Sequence, residues 1–223
     1  MSLRGKGALG VWHGVAEGHV REIEDWYNRE HHDERVTIRG FLRARRYVNL
    51  EAGPQLLSRY DVTEPAVLAS EPYLAALNNP SPVAQGIFPH YRNTVRGAFR
   101  VVARTGGMDG GFLTTLRFAE RAGEAAERLE QHLIHAAGRL VRMHGILTVE
   151  TWRVDADVTT HRSREKELRA NTSEPYPGFA LMVEASGADH AMPALAAALP
   201  ADVIGEATTG RYQLVYQQVA NAV

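Results

Sequence analysis

The chain has 223 residues, no cysteine, 25 Lys plus Arg against 26 Asp plus Glu, and a formal net charge of −1. With the two signs interspersed there is no electrostatic footprint for a phosphate backbone, and the lack of thiols excludes disulfides, thiolate nucleophiles and cysteine metal sites. Met1 to Lys6 lead into a strand-like segment instead of an apolar leader, and no apolar run approaches the roughly 18 residues of a membrane span. The expectation is a cytoplasmic protein whose partners are neither nucleic acid nor membrane.

In chain order, Leu9, Val11, His13 and Val15 alternate with Gly10, Trp12 and Gly14, the period of a strand, and Trp12 between glycines needs room on its face. Val20, Ile23, Tyr27 and His31 recur at steps of three and four, which predicts an amphipathic helix from about Glu17 to Val36 with His31 on the apolar stripe. His32, rotated by about 100°, is expected at solvent or on the helix flank. Gly40 turns into a second strand, on which Leu42, Ala44 and Val48 oppose Phe41, Arg43, Arg45 and Tyr47. A third strand at about 55–62, a helix over Ala66 to Leu77 opened by Pro65, and a strand near 98–103 complete a first unit. Between the last two, residues 81–93 read as an irregular, proline-bearing segment that contains His90 and is expected to cover the mouth of a cavity.

Thr105 to Gly111 is glycine-rich but lacks the Lys and Ser or Thr of a phosphate loop, and reads as a linker. The order of elements then recurs: a strand at 112–118, a helix carrying Leu129, Leu133, Ala136, Leu140 and Met143, strands at 146–154 and 179–185, a helix at 192–199 and a strand at 211–219. Residues 155–177, charged and poor in apolar side chains, are an insertion expected to form a solvated loop. Gly40 to Val48 is echoed by Gly145 to Arg153, so the chain divides into units at 1–105 and 112–223 joined by a linker at 106–111. Their sheets can pack face to face around a shared cavity. The chemistry is not duplicated, because Arg43, Arg45 and Tyr47 correspond to Thr148, Glu150 and Trp152. One site is therefore expected, with Glu150 placed to pair with Arg45 across the interface. His132 and His135 lie off their helix's apolar stripe and are expected at the surface, so no metal site is anticipated.

The run Trp26-Tyr27-Asn28-Arg29-Glu30-His31-His32-Asp33-Glu34-Arg35, followed by Gly40-Phe41-Leu42-Arg43-Ala44-Arg45-Arg46-Tyr47, resembles a pattern of a bacterial group within the dimeric α+β barrel superfamily. Pro65 to Ser70 and Pro89 to Asn93 add to the resemblance, which covers most of the first half; the second half matches in order of elements. That superfamily includes EthD-like proteins, muconolactone isomerase-like enzymes, antibiotic-biosynthesis monooxygenase-like proteins and haem-binding chlorite dismutase relatives. The resemblance implies an α+β fold of tandem ferredoxin-like repeats forming an intramolecular barrel. It also implies a functional histidine at the end of the first helix, here His31, although a proline common two residues later in the pattern is Asp33 here.

On this reading His31 is the catalytic proton carrier and Arg43 and Arg45 stabilise developing negative charge, while Trp12, Tyr27, Tyr47 and His90 hold the substrate. The substrate class is a small hydrophobic or aromatic oxygenated metabolite, turned over without a cofactor by an isomerase, lyase or monooxygenase. Two alternatives stand beside it: a ligand-binding or stress-responsive barrel without turnover, and a haem protein with His31, His90 or His135 as axial ligand. A homodimer in addition to the internal pair is allowed for.

Overall fold

A computed structural model describes residues 4–52, 55–169 and 175–221. Eight strands, β1 (Gly7–Val15), β2 (Phe41–Asn49), β3 (Leu56–Val62), β4 (Tyr91–Gly106), β5 (Phe112–Phe118), β6 (Ile146–Val154), β7 (Phe179–Ala185) and β8 (Thr208–Val219), close into a barrel in the order β1-β3-β2-β8-β5-β7-β6-β4. Within it, β4-β1-β3-β2 and β8-β5-β7-β6 are antiparallel sheets of the same strand order, joined by β2 to β8 and by β4 to β6. Each sheet alone has two unpaired edges, and closure removes all of them. The chain thus has tandem ferredoxin-like repeats forming one α+β barrel. Gly40 and Gly145, the glycines of the echoed sequence, both have positive φ (98° and 76°), a turn geometry that excludes most other residues.

Strand alternation sorts the side chains. Ala8, Trp12, Tyr47, Leu57 and Phe99 pack with Leu113, Trp152, Met182 and Tyr212 in one cluster inside the barrel. On the outside, α5 (Gly123–Leu140) and α8 (Ala191–Ala198) cover the second sheet through Leu129, Leu133, Leu140 and Leu195, with α9 (Ala201–Gly205) following. The first sheet is covered by α1 (Val20–Trp26), a π-helical turn (Tyr27–His31), α2 (His32–Thr37), α3 (Glu71–Asn78) and α4 (Pro82–Ile87).

Four local expectations are corrected. The single helix expected over 17–36 is interrupted by the π turn at Tyr27–His31. A register shift in β2 between Phe41 and Arg43 moves Phe41 to the helix side beside Tyr60 and Tyr73, away from the face of Arg43. Residues 81–93 are not irregular. Ser81 Oγ caps α4 by accepting the Ala84 N–H (3.0 Å), Pro82 occupies the first turn, and Ala84, Ile87 and Phe88 are buried with Ile23 and Trp26.

The fourth correction is the insertion, which forms α6 (Ala156–Thr160) and α7 (Arg164–Leu168), capped by Asp155 and Ser163. Both helices pack on the first half. Val158 joins its core, Thr159 Oγ1 accepts the Ala98 N–H (2.9 Å), and Glu165 forms a buried ion pair with Arg35. Composition made this stretch look solvated because its partners lie on the other unit. Its residues 170–174 lie outside the described residues.

Candidate functional site

Trp12, Arg43, Arg45 and Tyr47 all enter the barrel and are fully buried. They meet charge from both halves. Arg43 Nε donates to Asp61 (2.6 Å), Arg59 donates to Asp61 (2.6 Å), Glu150 (2.7 Å) and Glu184 (3.1 Å), and Arg45 donates to Glu184 through both terminal nitrogens (3.1 and 3.2 Å). Asp109 accepts from Arg43 (2.8 Å) and the Gly110 N–H donates to Glu184 (3.0 Å), so the glycine-rich linker closes this end of the barrel. Glu150 does come across from the second half, but it accepts from Arg59 and Arg104 (2.7 Å each), Trp152 Nε1 (2.8 Å) and Arg4 (3.3 Å), and Glu184 takes Arg45. Burial pushes the Asp61 and Glu184 carboxyls up, and the surrounding guanidiniums outweigh it, holding both well below the usual carboxylate range. Arg43 and Arg45 are therefore engaged by protein carboxylates.

Tyr27 and His31 lie on the other side of the sheet, between it and the helices, so they share no pocket with those four residues. Here the π turn matters. The wider turn shifts the phase of the helix, and His31 and His32 are both buried, at 6% and 0% exposure, where regular helical rotation had sent His32 to solvent. His32 stacks on Tyr216 (centroids 5.4 Å apart), and His31 packs on Trp26 (4.3 Å).

A chain of hydrogen bonds runs beside them. Tyr91 Oη donates to Tyr27 Oη (2.5 Å), and Tyr27 Oη lies 3.1 Å from His13 Nε2. His13 Nδ1 contacts the Gly14 carbonyl (3.0 Å), which can only accept, so the ring proton sits on Nδ1 and Nε2 accepts from Tyr27. Among the described residues, His31 Nδ1, both ring nitrogens of His32 and Tyr60 Oη are buried with no hydrogen-bond partner. Glu34 approaches His31 Nδ1 only to 3.8 Å.

Burial lowers His13 and His32 to about 3 and, with Arg35 adding its field, holds His31 well below the usual imidazole range. All three are neutral at neutral pH. Burial pushes Tyr27, Tyr60 and Tyr91 upward, so these phenols stay protonated. The layer thus combines neutral proton acceptors, phenol donors and an aromatic wall.

His90 sits apart at the surface, stacked on His19 (3.5 Å); with Glu22 these place three metal-ligating side chains within 4.8 Å of one another. His132 and His135 are exposed. His13, Tyr60 and Tyr91 were not singled out from the sequence. For His13 a signal existed: it is the polar ring on a strand face otherwise formed by Leu9, Val11 and Val15. Among the described residues no helix is long and apolar enough to cross a membrane.

No family model and no curated protein matches the sequence. Among solved structures, an anthrone oxidase-like protein superposes with a TM-score of 0.64 at 12% identity, over 100% of this chain and 97% of its own. A presumed monooxygenase from Fusobacterium nucleatum subsp. nucleatum gives 0.55 at 8% identity (98% and 97% covered), and another from Lactobacillus acidophilus NCFM gives 0.55 at 10% (98% and 98%). The whole double unit is shared, and the chain has the α+β barrel fold of these structures. Identities this low carry the fold and not the chemistry.

Proposed function

We propose that the chain is an enzyme that moves a proton on a small hydrophobic or aromatic oxygenated molecule, as a monooxygenase or isomerase. The reaction is assigned to the layer between the first sheet and its helices, with His31 as proton acceptor and Tyr27 as an orienting hydroxyl. The observation that carries this reading is the group of neutral, buried imidazoles with unpaired nitrogens around the π turn. A buried polar atom left unpaired costs about 1–3 kcal/mol, and several in one place favour a ligand or a reaction that uses them. A neutral imidazole can accept a proton from an acidic C–H or O–H. Arg35 and Arg169, whose fields help hold His31 neutral, favour the enolate or phenolate left behind.

In the oxidative variant the substrate supplies the electrons: a CH2 becomes C=O, one atom of O2 enters the carbonyl and the other leaves as water. The likeness in fold to proteins named for anthrone oxidation and monooxygenation supports this variant. In this reading Trp12, Arg43, Arg45 and Tyr47 serve the barrel, and His90 lies outside the reacting layer. A cytoplasmic location and a further homodimer belong to the same proposal, the latter checked by light scattering.

Anthrone is the probe, followed by oxygen uptake and by the absorbance of anthraquinone. Turnover above the uncatalysed rate is expected, falling about 100-fold in His31→Ala with an unchanged circular dichroism spectrum. Full activity in that variant removes His31 from the mechanism. Absence of turnover with anthrone, hydroxyquinones and enolisable ketones alike removes the enzymatic reading, and a Soret band in the purified protein replaces it with the haem alternative.

A further inference from the structure

On the same side of the first sheet, nearer to solvent, lies a cleft of about 280 Å³ lined by Thr94 and Arg96 of β4, Thr159 of α6, Lys166 of α7, Arg169 and Tyr176. Three cations converge on it. Arg96 donates to the Tyr73 hydroxyl (3.1 Å) and Lys166 to the Thr159 carbonyl (2.5 Å), and among the described residues neither makes an ion pair. Arg169 reaches Glu165 (3.2 Å), but Glu165 is already paired with Arg35, so one carboxylate serves two guanidiniums. Two polar atoms of lining residues, Thr94 Oγ1 on a residue 3% exposed and Arg169 Nε, are buried with no hydrogen-bond partner among the described residues. Burial and the fields of Arg96 and Arg169 bring the Lys166 ammonium down to about 8.

An excess of fixed donors and positive charge around a small cleft matches an oxyanion, whose oxygens can accept from several of them at once. The cleft also adjoins the histidine and tyrosine layer. The Arg169 guanidinium lies over the rings of Phe88 (5.1 Å) and Tyr91 (5.6 Å), and Tyr91 heads the hydrogen-bond chain to Tyr27 and His13. A molecule with its acid group in the cleft would direct its remaining part toward that layer.

We propose that the cleft formed by Arg96, Lys166, Arg169 and Thr94 binds the oxyanion group of the substrate, which is therefore a small organic acid. The inference rests on the reading above for the location of the reaction; the anion site itself does not. Isothermal titration with 2-hydroxybenzoate, phenol and inorganic phosphate tests it on the full chain. 2-Hydroxybenzoate binding is expected to weaken at least tenfold in Lys166→Gln and in Arg96→Gln, and to recover in Lys166→Arg. Phenol binding is expected to ignore the Lys166 and Arg96 changes. Unchanged 2-hydroxybenzoate affinity in both Gln variants, or no binding by any anion, overturns the site. Phosphate that binds more tightly than 2-hydroxybenzoate and displaces it overturns the organic-acid assignment. If His31→Ala keeps full turnover while Lys166→Gln loses anion binding, the proton-transfer role falls and the anion site stands.

Discussion

Arg59 shows how much one side chain can hold together at the centre of a barrel. It is fully buried and donates to Asp61, Glu150 and Glu184, carboxylates from both halves. Arg59→Met leaves those carboxylates short of one cation in a space that water does not solvate, and a loss of about 3–5 kcal/mol is expected from urea unfolding. The histidines act at the same scale but through pH. His13 and His32 are lowered to about 3 in the fold, and His31 also lies below the unfolded imidazole value of about 6.5. Below pH 6.5 the unfolded chain therefore binds protons that the folded chain refuses. The stability they permit is complete above that pH and declines as the pH falls toward 3, by up to about 1.4 kcal/mol per pH unit for each ring. Asp61 and Glu184, whose carboxyls are depressed in the fold, add stability that is present above ordinary carboxylate values and is lost only at lower pH. Urea midpoints at pH 7, 6 and 5 should fall steadily, and His32→Phe should flatten the slope by one proton. A midpoint constant from pH 7 to 5 contradicts the assignment of neutral buried rings.

Two elements carry most of what distinguishes the halves. The π turn re-phases the first helix so that consecutive histidines face the sheet, and nothing comparable interrupts α5. The insertion after β6 leaves its own unit and covers the other one through Val158, Thr159 and Glu165. Because α6 and α7 have few apolar contacts, their attachment depends on these few groups, and they are the first part expected to open. Glu165→Ala removes the main partner of Arg35, a side chain 2% exposed. Hydrogen exchange over residues 156–168 is expected to accelerate at least tenfold while β1 and β3 keep their protection. Uniform acceleration across the barrel would show instead that the insertion unfolds only with the whole.

At the scale of the molecule, closure of the barrel joins two sheets that are each incomplete. The first contributes Arg43, Arg45 and Arg59 against Asp61, and the second contributes Glu150 and Glu184. Separation leaves four open strand edges and a buried imbalance of charge. Residues 1–107 and 108–223 produced separately are expected to be insoluble or to self-associate, and produced together to form a one-to-one complex by native mass spectrometry. A soluble monomeric half contradicts this.

Periodicity and the echoed glycine-led strands supported a reading of two units with one order of elements along the chain, because amphipathic alternation is written locally and survives in any fold that buries one face. The same alternation correctly sent Trp12, Arg43, Arg45 and Tyr47 inward. What stayed hidden depends on contacts between residues far apart in the chain. Glu184 and not Glu150 meets Arg45 because the register of β7 against its neighbours is a property of the closed barrel, and His32 is buried because an extra residue in the helix turns it toward Tyr216, which comes from the last strand. Glu165 of the insertion looked solvated because Arg35, its counterpart, lies 130 residues earlier. Local pattern sets which side of an element is apolar; only the folded chain decides which charged or aromatic group from elsewhere arrives to meet it.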